Sequence, residues 1–212
     1  MSANPFNEHC AEYDAWFDKN ALMHESELLT IQKVLPKSGF GLEVGVGTGR
    51  FAAPLGVKVG IDPSINALRM ARSRRIQVLR GVGEELPFKA NSFYYVLLVT
   101  TVCFLDNPEK AFKECWRVLR EKGVLIVAII DRESELGRRY EETKHTSIFY
   151  RFARFRSVKE VKKMLESSGF EVKEYYQTLF SVNASKKYVE KLRKGFGQGS
   201  FVVMRARKIE KE

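Results

Sequence analysis

The stretch Gly41-Leu42-Glu43-Val44-Gly45-Val46-Gly47-Thr48-Gly49-Arg50-Phe51 decides how this chain folds. It starts inside an apolar run, Phe40 to Val44, and leads into a helical segment, so it lies where a strand turns into a helix. Glycines at 45, 47 and 49 remove side chains, which lets the backbone turn sharply and lets a ligand lie against it. The spacing narrows the ligand. A dinucleotide loop, G-x-G-x-x-G, would have its third glycine at the position of Arg50, and a phosphate loop needs Gly-Lys-Ser/Thr, which Thr48-Gly49-Arg50 does not supply. An acid two residues before the first glycine, Glu43, suits a ligand that presents a cation to the loop.

Downstream, Val57 to Ile61 reads as a second strand ending in Asp62-Pro63-Ser64. A carboxylate at that strand end can accept both ribose hydroxyls of an adenosine, while Ser64 is the better placed cap for the helix that follows. Ile76 to Leu79, Phe93 to Val99 and Val124 to Ile130 read as further strands, several of them unalternated, as in strands buried on both faces. Asn107-Pro108 opens a helix with Ala111, Phe112, Cys115, Val118 and Leu119 on one face, stopped at Gly123. Strand and helix in alternation predict a doubly wound α/β (Rossmann-like) fold with helices on both faces of the sheet.

The flanks differ from this pattern. Residues 6 to 35 predict two helices, with Phe6, Cys10, Tyr13 and Phe17 recurring at helical spacing. Asp131 to Arg156 has no clear strand and interleaves Tyr140, Phe149, Tyr150, Phe152 and Phe155 with Arg151, Arg154 and Arg156. Ser157 to Glu160 forms a capping box for a late helix closed at Gly169, and Phe170 to Thr178 and Ser200 to Arg207 read as the last strands. No linker divides the 212 residues, so one domain is expected, with residues 1-36 as a helical lid and 132-156 as an insertion on the substrate side.

Composition sets outer limits. The longest apolar stretch, Val96 to Leu105, is interrupted by Thr100 and Thr101 and falls short of the roughly 20 residues a membrane span needs. No secretory pattern opens the chain, so a cytoplasmic protein is expected. The three cysteines match no zinc spacing and read as small apolar side chains; no metal is expected. Net charge is +10, and 20 of the 36 basic residues lie after Asp131. That asymmetry fits either an anionic partner such as RNA or a solvated, charge-rich surface.

These motifs together carry a resemblance. Glu43-x-Gly45-x-Gly47-x-Gly49, Gly60-Ile61-Asp62-Pro63-Ser64, Gly83-Glu84-Glu85-Leu86-Pro87-Phe88, Asn91-Ser92-Phe93 and Glu114-x-x-Arg117-Val118-Leu119 resemble the class I S-adenosylmethionine-dependent methyltransferases. Within that class they look like the small-molecule enzymes related to ubiquinone and menaquinone biosynthesis. The resemblance implies a seven-stranded, mostly parallel sheet with an antiparallel last strand. It implies that Glu43 and the loop at Gly45, Val46 and Gly47 hold the methionine moiety of S-adenosyl-L-methionine, that Asp62 holds the ribose, and that Pro63 packs on the adenine. Gly83 and Glu84 would frame the adenine edge, and Thr100 and Thr101 would lie near the sulfonium. Two positions depart from the family pattern: Val82 replaces an acid, and Tyr94 replaces an aspartate.

Tyr13 and Trp16 resemble the family's aromatic lid; packing of the first helix on the core is the competing reading of Tyr13. Methyl transfer from a sulfonium needs alignment and exclusion of water more than a strong base. No catalytic residue is therefore assigned, and Asp131 and His145 are the groups available to take a proton, although His145, in a charged run, reads first as a surface histidine. A small-molecule methyl acceptor is the favoured partner. An RNA methyltransferase using the basic C-terminal part is the alternative, and a non-catalytic sensor or scaffold that binds the cofactor is the second.

Overall fold

The computed structural model describes residues 5–181 and 188–209. Three helices lead in: α1 (Pro5–Glu8), α2 (Cys10–Lys19) and α3 (Ala21–Val34). The alternating body follows as β1 (Gly41–Val44), α4 (Ala52–Leu55), β2 (Val59–Asp62), α5 (Ile65–Ser73), β3 (Gln77–Arg80), β4 (Phe93–Val99), α6 (Pro108–Val118) and β5 (Leu119–Ile130). Then come α7 (Glu135–Thr143), α8 (Val158–Ser167), β6 (Phe170–Thr178), β7 (Arg193–Lys194) and β8 (Phe201–Lys208).

The strands form one sheet in the order β3-β2-β1-β4-β5-β8-β6-β7. Strands β1 to β5 pair in parallel, whereas β8 runs antiparallel to both β5 and β6. Successive residues of β4 point to opposite faces. Val96 and Leu98 join the core under α6 and α8, and Tyr95, Leu97 and Val99 join the core shared with α3 and α5. That two-sided burial is why the strand reads as a continuous apolar run.

Helix ends follow the expected side chains. Ser64 accepts the Ala67 amide, Asn107 accepts the Lys110 amide, and Ser157 and Glu160 close a reciprocal capping box. Three expectations need correction. The sheet has eight strands, not seven, because the two-residue β7 adds to the edge of β6; so short a strand leaves no periodic signal. The lead-in forms three helices, not two, with His9 breaking helical geometry between α1 and α2. Helix α6 ends at Val118 rather than at Gly123. Leu119 is already extended and pairs with Phe93, and the turn at Lys122 (φ 59°) lies within β5. Tyr94 also gains an account: its ring covers Gly39, leaving no room there for a Cβ, and stacks under Arg120, whose guanidinium donates to its hydroxyl.

Candidate active site

The carboxyl ends of β1, β2 and β4 converge where the strand order reverses between β1 and β4, the place where open α/β sheets bind ligands. The glycine loop leaves β1 with its first two amides, Gly45 and Val46, both donating to the Ile61 carbonyl. Gly45 has φ 75°, and a Cβ there would lie 2.4 Å from Thr101 Oγ1. Gly47 differs: at φ 51° its added Cβ would meet only the Tyr13 ring, at 3.9 Å, so the open side of the loop lies here. Val46 turns inward against Gly60, and Gly49 is required by Ile76 and Ala71; both are packing positions.

Two buried carboxylates face this opening. Asp62, 8% exposed, accepts the Gly47 amide at 2.9 Å and the Ser64 amide at 2.8 Å, one on each oxygen. Each oxygen keeps a second lone pair, so the group retains the two acceptor sites a diol requires. Glu43 is 1% exposed, and its Oε2 has no hydrogen-bond partner among the described residues. Burial, and then the neighbouring Asp62, push its carboxyl well above the ordinary range; burial also raises Asp62. An orphaned acceptor in a dry site is costly without a ligand, and an ammonium is the chemical complement of this one.

Around these groups the other expected residues divide. Thr101 packs on Gly45 and donates to the carbonyls of Val99 and Val44. Thr100 is strained, with φ 49°, and its carbonyl accepts the Cys103 thiol. Pro63 is exposed beside the opening, with its carbonyl accepting Arg80. Gly83 is packed against Val44, and Glu84 accepts the Asn107 amide at the start of α6. Val82 is 45% exposed.

The lead-in helices close over the site. Tyr13 sits above Gly47, and burial with the nearby Glu27, Asp62, Cys103 and Glu43 raises its hydroxyl far above the usual phenol range. Its ring meets Phe6 at 5.1 Å, Phe17 at 5.3 Å and Phe149 of the insertion at 5.5 Å. Trp16 instead packs on the far neighbour in this row, Phe17, in the core shared with α3. The lid is latched at both ends. Asn7 accepts the Asn66 amide at its Oδ1 and the Asn66 side-chain amide at its carbonyl, and Ser64 Oγ donates to the Phe6 carbonyl, next to Asp62. Arg50 of the glycine loop holds Asp14 at 2.6 Å and Asp18 at 2.7 Å, and Arg74 joins Asp14 at 2.9 Å. The position that breaks the dinucleotide pattern is thus the anchor of α2.

The insertion forms the far wall. Tyr140 stacks on Tyr150 at 5.0 Å, and Phe155 lies 5.7 Å from Tyr150. Beside Thr100, Tyr150 and Phe155 border a narrow cavity whose other apolar walls are Val102, Ile129 and Ile130, with Arg156 also lining it. Asp131 does not line it. Its carboxylate accepts the Glu133 amide at 3.1 Å and also faces the backbone at Val158, so it serves the turns that start α7 and α8. His145 is exposed in a single helical turn after α7. Local patterns hid three participants, Glu27, Arg50 and Arg156. Only the interleaving of aromatics and arginines before Ser157 pointed to the last of them.

This fold and this loop define a methyltransferase, and the chain belongs to the S-adenosyl-L-methionine-dependent methyltransferases. The methyltransferase-domain family matches residues 42–127. A solved structure from Thermotoga maritima, described as a SAM-dependent methyltransferase and possible histamine N-methyltransferase, has a TM-score of 0.94 and 45% identity, covering 96% of this chain and 98% of that one. An uncharacterized protein of Methanocaldococcus jannaschii is 44% identical over 97% of this chain and 100% of its own length. A demethylmenaquinone methyltransferase of a Roseiflexus species is 33% identical over 40% of this chain and 40% of its own. Among the described residues no helix is long and apolar enough to cross a membrane, and no cluster of three potential metal ligands occurs.

Proposed function

We propose that this methyltransferase acts on a small-molecule acceptor held in the cavity between Thr100 and the aromatic insertion. The observation that carries the reading is the direction of the insertion's rings. Tyr140, Tyr150 and Phe155 pack on one another, with Tyr150 and Phe155 lining the cavity, instead of forming an outward platform for nucleic-acid bases. The lid helices are latched over the neighbouring glycine loop.

S-adenosyl-L-methionine, when bound, supplies a methyl group already activated by its sulfonium charge. Glu43 offers its orphaned carboxylate to the methionine ammonium, and the loop at Gly45 and Gly47 gives it backbone to lie on. Asp62 accepts the ribose hydroxyls with the lone pairs left by Gly47 and Ser64, and Pro63 with the exposed Val82 flank the adenine. Tyr13 excludes water above Gly47. Thr100, the walls of the cavity and the lid align the acceptor, so proximity and desolvation carry the reaction.

Calorimetric titration with S-adenosylhomocysteine, beside NADH as a control, tests the cofactor assignment. Asp62→Ala is expected to weaken S-adenosylhomocysteine binding by about 2 to 3 kcal/mol, roughly thirty- to a hundredfold, through loss of two bonds to a charged acceptor. An unchanged affinity would sink the ribose role. Retention of RNA that falls steeply with salt, together with methyl transfer to it, would replace the small-molecule reading.

A further inference from the structure

The acceptor cavity contains one charged group without a counterpart. Arg156 lines it beside Thr100, Tyr150 and Phe155. Its Nε is buried and has no hydrogen-bond partner, and among the described residues its side chain makes no ion pair. Elsewhere in the chain guanidinium groups in comparable positions are satisfied. Arg50 and Arg74 hold Asp14, Arg117 holds Glu114, Arg132 holds Glu160 and Arg205 holds Glu174.

The acids of the turns that flank the insertion, and Glu27 of α3, are committed elsewhere. Asp131 accepts the Glu133 amide, and Glu160 is taken by Arg132 and the Ser157 amide. Glu27 faces the hydroxyls of Tyr13, Tyr140 and Tyr150, on the lid side of the aromatic cluster. The remaining polar groups at the cavity wall, Thr100, Cys103 and Tyr150, are neutral, burial holding the Cys103 thiol up to about 12. A guanidinium N–H buried without a partner loses hydration that an anion restores well. The planar fork matches a carboxylate with two parallel hydrogen bonds, and the Tyr150 and Phe155 rings in the cavity wall suit a flat apolar frame.

We propose that the methyl acceptor is an aromatic molecule bearing a carboxylate, and that Arg156 binds that carboxylate. This rests on the small-molecule reading above, and it opposes an amine acceptor: an ammonium or imidazolium in the cavity would face Arg156 with like charge.

The test uses the full chain saturated with S-adenosylhomocysteine, titrated with 4-hydroxybenzoate, 4-hydroxybenzamide and tyramine, three molecules that share a ring and differ in charge. The carboxylate is expected to bind at least about tenfold more tightly than the amide, a difference worth about 1.4 kcal/mol, and tyramine more weakly still. In Arg156→Met that preference is expected to fall to within threefold, with S-adenosylhomocysteine affinity retained, and Arg156→Lys is expected to restore part of it. Tighter binding of tyramine, a carboxylate preference that survives Arg156→Met, or binding of none of the three by the saturated protein overturns the proposal. Failure of the unsubstituted protein to bind S-adenosylhomocysteine overturns instead the reading on which it rests. If Arg156→Met does not fold, Arg156→Lys and Arg156→Gln carry the same comparison, and an undiminished preference in Arg156→Gln is equally fatal.

Discussion

Gly45 and Gly47, separated by one residue, do different work in the folded loop. At Gly45 a methyl group would collide with Thr101, whereas at Gly47 it would meet only the edge of the Tyr13 ring. Gly45→Ala is therefore expected to cost stability, at least about 2 kcal/mol from the left-handed backbone and overpacking together, read by chemical denaturation. Gly47→Ala is expected to cost about 1 kcal/mol in stability from backbone strain alone. Its larger effect is on binding, because the new methyl stands in the opening: S-adenosylhomocysteine affinity is expected to fall further than in folded Gly45→Ala, whose methyl would point at Thr101. Equal effects of the two substitutions on affinity would mean that the ligand does not lie over Gly47. The sequence marks both positions as special, since glycines at 45 and 47 flank a single strand end. Which glycine is held by packing and which faces a ligand depends on Thr101 and Tyr13, far away in the chain.

At the scale of elements, α2 is held to the glycine loop by charge. Burial alone would raise Asp14, but Arg50 and Arg74 outweigh it and hold the carboxyl down at about 2. Arg50→Ala leaves Asp14 with only Arg74 and is expected to destabilise the fold by about 3 kcal/mol. The loss is expected to concentrate in the lid, with limited proteolysis cutting α2 at Lys19 before the sheet unfolds. Arg50→Lys is expected to rescue little, because one ammonium cannot grip Asp14 and Asp18 together as the guanidinium does. Cleavage no faster in Arg50→Ala than in the parent chain would show that the aromatic contacts of Phe6 and Tyr13 hold the lid without the latch. The helices themselves were legible from their caps, Ser64, Asn107 and Ser157, since a cap is a local interaction spanning three residues. The latch spans 36 residues of chain and was not.

For the whole molecule, the buried carboxylates set opposite pH dependences. Glu43 and Asp62 have raised pKa values in the fold, so the protein without ligand loses stability as pH climbs from the ordinary carboxylate range through those values. Asp14 is lowered, so its contribution is present above the ordinary value and lost only as pH falls toward 2. An ammonium beside Glu43 favours the ionised form, so binding of S-adenosylhomocysteine is expected to release a proton. Its stabilisation of the fold is then expected to grow with pH above about 4.3, the ordinary glutamate value. Denaturation at a series of pH values, with and without the ligand, reads this directly, and Glu43→Gln is expected to flatten the difference. A ligand effect that shrinks as pH rises would remove Glu43 from contact with the ammonium.

The sequence alone determined the alternation of strand and helix, the turn after β1 and the acids at the carboxyl ends of β1 and β2, because each is written in residues adjacent along the chain. Apolar runs specify strands buried on both faces, and a glycine or a cap acts within one turn of itself. Tertiary structure decided what surrounds that turn: the Tyr13 lid over Gly47, the Arg50 latch, the commitment of Asp131 to turns and the placing of Arg156 at an aromatic cavity. These depend on side chains brought together from distant segments, and their energies come from burial and pairing that no local pattern encodes.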